Sequence, residues 1–121
     1  METEKVADKI YVENRPWGRF ERYTHNELST VKLVYVKGGK RLSLQYHDKR
    51  TEFWKVLDGP VKVQLGNEIR VLQTGDQMTI PPKAVHRLIG LDDKKEAVIL
   101  EISTGEFDEN DIIRLEDDFS R

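Results

Sequence analysis

Short runs in which apolar and polar residues alternate follow one another along most of this 121-residue chain. The clearest runs span residues 31–35, 42–47, 52–57, 61–65, 84–89 and 98–102. Because successive side chains of an extended strand point to opposite faces, each run predicts a β-strand with one buried face. Dipeptides suited to tight turns separate the runs: Gly38-Gly39, Asp58-Gly59, Gly66-Asn67 and Gly75-Asp76. Many short strands at near-regular spacing indicate an all-β sandwich or barrel.

The two ends of the chain depart from this alternation. We interpret residues 1–14 as an N-terminal arm, after which Arg15-Pro16-Trp17-Gly18 forms a rigid turn at the start of the ordered part. Residues 15–105 are predicted to form a single β-barrel domain. Residues 106–121 are predicted to be an acidic C-terminal segment that packs on or across the barrel, with one helical turn near residues 108–111.

Charge and cysteine content exclude several classes of function. The chain has 20 basic and 22 acidic residues and a net charge of −2, which gives no electrostatic case for nucleic acid or for an anionic membrane as a partner. It has no cysteine, so thiol catalysis, disulfides and thiolate metal ligands are excluded. No apolar run approaches membrane-spanning length and the first ten residues are too charged for a signal peptide, so we expect a cytoplasmic protein.

Four polar side chains on or beside the predicted strands suggest a metal site: Gln45, His47, Glu52 and His86. Gln45 and His47 are two residues apart and therefore project from the same strand face. A closed antiparallel sheet can bring all four to one interior point, although each histidine taken singly is more often a hydrogen-bonded residue than a ligand. One amide oxygen, two imidazoles and one carboxylate would suit a single divalent transition metal (Zn, Mn, Co, Fe or Ni) better than Ca or Mg.

Two spaced motifs resemble those of the cupin superfamily: Gly39-x5-Gln45-x-His47-x4-Glu52-x6-Gly59 and Gly75-x5-Pro81-x-Lys83-x2-His86. The string from Arg41 to His47 and the stretch Arg50-x-Glu52-x-Trp54 look more specifically like the cupin domain of type II phosphomannose isomerases. The same resemblance extends to Arg15-Pro16-Trp17-Gly18 and to residues 111–121. In that family the domain often forms the C-terminal part of a bifunctional enzyme that is also a mannose-1-phosphate guanylyltransferase. The resemblance implies a double-stranded β-helix, the cupin or jelly-roll barrel.

The resemblance also implies a reaction and roles for individual residues. Gln45, His47, Glu52 and His86 would be the metal ligands, and the reaction would interconvert mannose 6-phosphate and fructose 6-phosphate through a metal-stabilised enediol. The catalytic candidates are Arg50 and Lys49, with Arg50 expected beside the developing oxyanion or the phosphate. The substrate-binding candidates are Arg41 and Arg87. Glu101 could act as the proton-transfer base, but we expect it to be a solvated carboxylate at a sheet edge.

Three positions depart from the family and keep other functions open. The family usually has histidine where this chain has Lys49 and Phe53, and a small residue, commonly glycine, where it has Lys83. We therefore expect a conserved ligand set within a partly altered pocket wall. The alternatives are a non-catalytic sugar-binding or sensing cupin, and a different metal-dependent cupin enzyme such as a dioxygenase or another sugar isomerase.

The sequence also predicts binding partners and the environments of the two tryptophans. The expected partner is a phosphorylated hexose, and the exposed sheet edges and N-terminal arm of so short a chain favour a homodimer. Trp17 and Trp54 are predicted to be core or interface aromatics rather than sugar-stacking platforms.

Overall fold

The computed structural model describes residues 10–91, 94–106 and 108–119. Within these ranges the chain forms eleven β-strands and one short 3₁₀ turn, Glu109–Asp111. The strands are β1 Tyr11–Arg15, β2 Gly18–Arg22, β3 Ser29–Val36, β4 Leu44–His47, β5 Thr51–Asp58, β6 Val61–Leu65, β7 Glu68–Leu72, β8 Gln77–Ile80, β9 His86–Gly90, β10 Ala97–Thr104 and β11 Ile112–Glu116. The all-β prediction is confirmed. No helix in the described part of the chain is long and apolar enough to cross a membrane.

The strands form two large antiparallel sheets and one separate hairpin. The four-stranded sheet has the order β3-β10-β5-β8, and the five-stranded sheet has the order β11-β4-β9-β6-β7. The hairpin pairs β1 with β2. Except for β6 and β7, which the predicted turn at Gly66-Asn67 joins, neighbours in the two large sheets come from distant parts of the sequence. The tight turns predicted from glycine pairs therefore account for only part of the connections.

The two large sheets pack face to face around one apolar core. Its buried members come from strands of both sheets: Val36, Trp54, Val56, Val61, Val63, Leu72, Met78, Ile80, Leu88, Ala97 and Ile99. They occupy the inward positions of the alternating runs, as the period of two requires. This packing brings one end of β4 and β9 opposite the start of β5.

A second, smaller cluster lies on the outer face of the four-stranded sheet. Phe53 and Ile102 face each other across β5 and β10 and are buried beneath Tyr23, with Ile10 and Leu100 packed beside them. The Lys55 ammonium holds Tyr23 over these residues by donating hydrogen bonds to Glu21 and to the Tyr23 hydroxyl at 3.0 and 2.8 Å. The hairpin β1–β2 is thereby tied to the outside of the barrel.

Both chain ends contain strands that the alternation did not predict. Residues 11–14 of the predicted arm belong to β1, and the turn at Pro16-Trp17 joins β1 to β2. Residues 1–9 of the arm lie outside the described residues. At the other end β11 pairs with β4, so this part of the acidic segment packs on its own barrel. Residues 108–119, which include the 3₁₀ turn and β11, are called the C-terminal strap below.

Trp17 and Trp54 have different environments. Trp54 is 2% exposed and belongs to the main core, as predicted. Trp17 is 73% exposed at the tip of the hairpin, so it is not a core residue, and its position at an interface stays a prediction.

Candidate metal centre

Three of the four predicted ligands meet at one end of the core. His47 is the last residue of β4, His86 is the first residue of β9, and Glu52 is the second residue of β5. The two histidines come from the five-stranded sheet and the carboxylate comes from the opposite sheet. All three side chains are almost completely buried. The site therefore depends on the way the two sheets face each other.

The ligand-type atoms of these residues converge on a common point. His47 Nε2 lies 2.7 Å and His86 Nε2 lies 3.3 Å from the same oxygen, Glu52 Oε1. The two imidazole rings have centroids 4.8 Å apart and meet edge to face. Among the described residues these three are a group of potential ligands whose donor atoms all lie within 4.8 Å of one another.

The hydrogen bond of His86 and the buried, unpartnered atoms of the group fit a metal at this point. His86 Nδ1 lies 2.8 Å from the carbonyl oxygen of Ala84, which can only accept, so Nδ1 carries the proton and Nε2 presents its lone pair to the site. His47 Nε2, His86 Nε2 and Glu52 Oε1 are buried, and none has a partner with hydrogen-bond geometry in the described part of the chain. Buried polar atoms normally have such partners, so three of them aimed at one point fit a bound divalent cation.

Electrostatics keep the carboxylate of the site ionised. Burial alone would raise the pKa of Glu52, but the close imidazoles of His47 and His86 and a hydrogen bond with Glu101 outweigh burial and hold that pKa below its usual range. Burial together with the negative charge of Glu52 raises the pKa of Glu101 to about 8. Glu52 thus supplies one negative charge to the site, while Glu101 carries a proton at neutral pH.

Glu101 is a residue whose position was predicted wrongly. Its strand β10 lies between β3 and β5, at the centre of the four-stranded sheet and not at an edge. Its Oε1 accepts a hydrogen bond from Trp54 Nε1 at 3.0 Å, which holds the carboxyl inside the barrel. The available signal was the alternation itself, because Ile99, Glu101 and Ser103 share one face of β10 and Ile99 is apolar.

Trp54 links Glu101 to the wall of the site. The Trp54 ring centroid lies 5.5 Å from that of His86, with the rings edge to face. The indole therefore packs against one ligand and donates its N–H to the carboxyl beside another. This arrangement leaves a largely apolar wall on the core side of the site.

Gln45, the fourth predicted ligand, lies beside the other three. Its backbone is opposite His86 in the β4–β9 ladder, and it shares a strand face with His47. Its Oε1 accepts a hydrogen bond from the Ser43 hydroxyl at 2.7 Å. Ligation by Gln45 stays a prediction.

The two catalytic candidates occupy the loop that joins His47 to Glu52. Arg50 is only 2% exposed, whereas Lys49 is exposed. Lys49 lines a cavity of about 280 Å³ with Glu106 and Asp108. The loop therefore directs one cation into the protein and the other towards solvent.

The two substrate-binding candidates lie away from the site. Arg87 follows His86 on β9 and so projects from the opposite face of the strand, where it donates to Leu42 O at 3.0 Å and to Glu116 at 3.1 Å. Arg41 makes two hydrogen bonds to Asp118, at 2.6 and 2.9 Å, beyond the other end of β4 from His47. Their positions do not support the roles in substrate binding that we predicted for them.

The structure corrects the expectation of an altered pocket wall at one position, Phe53, and shows a backbone role for a second, Lys83. Phe53 follows Glu52 on β5 and lies in the outer-face cluster, on the other side of the sheet from the site. Lys83 has a φ of +71°, in the left-handed region that favours glycine. Its N–H donates to the carbonyl oxygen of His47 at 2.6 Å, so this strained residue supports the backbone of a ligand.

Comparisons with known proteins agree with this geometry. A family model described as "Mannose-6-phosphate isomerase C-terminal" matches residues 2–117. Mannose-1-phosphate guanylyltransferase ManC of Salmonella typhimurium is 30% identical over 138 residues, which cover 100% of this chain and 28% of that protein. Xanthan biosynthesis protein XanB of Xanthomonas campestris is 35% identical over 114 residues, which cover 93% of this chain and 24% of that protein. The chain thus spans about a quarter of the length of these relatives.

A solved structure shows the fold. A conserved protein with a double-stranded β-helix domain from Klebsiella pneumoniae is 20% identical to this chain, with a TM-score of 0.59. The match covers 66% of this chain and 69% of that one. The predicted double-stranded β-helix, or cupin barrel, is confirmed.

Proposed function

Because the chain belongs to the mannose-6-phosphate isomerase C-terminal family, we propose that it is a metal-dependent isomerase that interconverts mannose 6-phosphate and fructose 6-phosphate. The observation that carries this proposal is the convergence of His47 Nε2, His86 Nε2 and Glu52 Oε1 on one buried point. Guanylyl transfer, for which the Salmonella relative is named, is not proposed for this chain, which spans 28% of that protein.

The donor set favours Lewis-acid chemistry. His47, His86 and Glu52 would hold the metal, and Gln45 is the candidate for a fourth ligand. These groups sum to a charge of −1, so a bound divalent ion retains positive charge with which to polarise a carbonyl or hydroxyl oxygen of the sugar. An open coordination position is what distinguishes a catalytic site from a structural one.

The protein's own residues would bind the charged groups of the substrate and limit the access of water. Arg50 is buried in the loop between two ligands, where its permanent positive charge can face a phosphate or an oxygen that gains negative charge. Trp54 and His86 form the wall on the core side and limit the access of water. Lys49 is exposed and can attract a phosphorylated sugar to the mouth of the site.

A coupled assay for fructose 6-phosphate formation tests the proposal. Metal-stripped protein would receive Zn²⁺, Mn²⁺, Co²⁺, Fe²⁺ or Ni²⁺ singly, and the matched variants would be His47→Ala in the site and His25→Ala in an exposed loop. We expect turnover with at least one metal, its loss in His47→Ala and its retention in His25→Ala. Absence of turnover with every metal, in a protein that still binds metal, would favour a non-catalytic sugar-binding cupin. Oxygen consumption with Fe²⁺ would favour an oxygenase.

We also propose that the chain forms a homodimer. β3 is an edge strand, and Val31, Leu33 and Tyr35 are exposed on its outer face, at 60%, 51% and 57%. An eight-residue edge strand that exposes several apolar side chains is a surface that proteins usually cover. Sedimentation at micromolar concentration should give a dimer, and a monomer would contradict the proposal.

A further inference from the structure

Asp111 joins the C-terminal strap to the loop that carries Arg50. It is the last residue of the 3₁₀ turn, and it is 8% exposed. Its Oδ1 accepts the backbone N–H of Asp48 at 3.1 Å, and its Oδ2 accepts the backbone N–H of Lys49 at 3.0 Å. One side chain thus holds two consecutive backbone amides from 62 and 63 residues away in sequence.

The loop that Asp111 holds connects two of the ligands. His47 precedes it and Glu52 follows it, with only four residues between them. On the other side of His47, Lys83 N–H donates to His47 O. In the ladder between β4 and β11, Ile112 lies opposite His47, which sets the position of Asp111 relative to the loop.

We infer that Asp111 is a positioning residue that fixes the loop 48–50, and through it the placement of His47 and Glu52 for metal binding. This inference rests on the proposed metal site. Asp111 is not itself a member of the converging ligand group. Groups that orient metal ligands from behind typically alter metal affinity by about 10- to 100-fold when they are removed.

The strap provides a matched control at its other end. Asp118 pairs with Arg41 beyond the far end of β4, and Glu116 pairs with Arg87 between them. If the strap only held β11 on the barrel, loss of the Asp118 contact would act like loss of the Asp111 contacts. If Asp111 positions the loop, only the loss of the Asp111 contacts should weaken metal binding.

The experiment compares Asp111→Ala, Asp111→Asn and Asp118→Ala with the wild-type chain. Two quantities are measured: the Co²⁺ dissociation constant, from the absorption spectrum, and the hydrogen-exchange rates of the Asp48 and Lys49 amides in the metal-free protein, from NMR. We expect Asp111→Ala to speed exchange of both amides by at least about tenfold and to weaken Co²⁺ binding by about tenfold or more. Asp111→Asn keeps one acceptor oxygen and should give intermediate values, while Asp118→Ala should change neither quantity.

Each outcome decides the inference. Faster exchange in Asp111→Ala with unchanged Co²⁺ affinity would overturn it, and so would equal weakening of Co²⁺ binding in Asp118→Ala. If Asp111→Ala does not fold, the same comparison is made with Asp111→Asn. A wild-type chain that binds no Co²⁺, Zn²⁺ or Mn²⁺ would refute the proposed metal site and this coupling with it. If Co²⁺ binding is weakened only in the Asp111 variants, the inference is supported. That result does not depend on whether the sugar assay shows turnover.

Discussion

Glu101 and Glu52 project from the inner faces of neighbouring strands, where burial, the charge of Glu52 and hydrogen bonding between the two carboxyl groups raise the pKa of Glu101. Glu101 lies opposite Trp54 in the ladder, so Glu52 is its diagonal neighbour on the same face. Two carboxyl groups can share a hydrogen bond only if one is protonated, and the raised pKa assigns that proton to Glu101. The ligand carboxylate is thus supported by a neutral acid that is itself held by the Trp54 indole.

Replacing Glu101 should show the cost of breaking this chain of hydrogen bonds. Glu101→Ala removes the acceptor for Trp54 Nε1–H and the donor to Glu52, and we expect a loss of about 1–3 kcal/mol in the unfolding free energy of the metal-free protein. Glu101→Gln can still accept from the indole and donate to Glu52, so it should stay within about 1 kcal/mol of wild type. Urea denaturation of both variants measures the difference. Equal stability of the alanine variant and the wild type would show that the contacts contribute nothing.

Loss of a ligand should abolish the stabilisation that metal confers. A metal at 100 times its dissociation constant stabilises the folded state by about 2.7 kcal/mol, provided the unfolded chain does not bind it. We expect added Zn²⁺ or Mn²⁺ to raise the melting temperature of the wild type and of His25→Ala, but not of His47→Ala or His86→Ala. Chelation of the wild type should reproduce the behaviour of the ligand variants. A full equivalent of metal in both variants, by elemental analysis, would place the site elsewhere.

The two loop cations should differ in their importance for turnover. Arg50→Ala removes a buried charge beside the ligands, and we expect isomerase kcat to fall by about 100-fold or more. Lys49→Ala alters an exposed side chain, so its kcat and its stability should stay close to wild type, with a change in stability of about 0.5 kcal/mol or less. Steady-state kinetics at saturating metal separates the two variants. A larger kcat loss in the Lys49 variant would reverse the assignment.

Glycine at position 83 should relieve backbone strain. Lys83 adopts a φ of +71°, which costs a residue with a Cβ about 1–2 kcal/mol. Lys83→Gly should therefore raise the unfolding free energy by up to about 1 kcal/mol after the greater entropy of an unfolded glycine is deducted. Lys83→Ala retains the Cβ and should bring no such gain. Chemical denaturation of the two variants provides the comparison.

The loop contact of Asp111 should weaken in acid. Burial raises the pKa of Asp111, but the backbone N–H groups of Asp48 and Lys49 outweigh it, and the pKa falls below the ordinary value of 3.8. A lowered pKa in the folded state means that the stabilisation is complete above the unfolded-state value and is lost as the pH falls through the folded-state value. The stability difference between the wild type and Asp111→Asn should therefore be constant above about pH 5 and shrink below pH 3.8. A difference that grows on acidification would contradict the assignment.

Period-two alternation predicted most of the inner strands because it is a local property of the chain. It failed for β1, β2, β7 and β11, whose residues are mostly exposed, so that their two faces differ little in polarity. It also missed β8, which has only four residues. The same alternation, applied strictly, would have excluded Arg87 and Phe53 from the site, because each follows an inward-facing ligand by one residue. Both expectations had treated proximity in sequence as proximity in space.

Local patterning established the all-β class, the inward faces of β4, β5 and β9, and the identity of His47, Glu52 and His86 as candidate ligands. Strand pairing and the facing of the two sheets settled the rest: the 2.7 and 3.3 Å approaches to Glu52 Oε1, the interior place of Glu101, and the hold of Asp111 on the loop. The physical reason is the distance along the chain over which each property is determined. Which way a side chain points along a strand depends on its immediate neighbours, whereas register and sheet order depend on the summed packing of segments tens of residues apart.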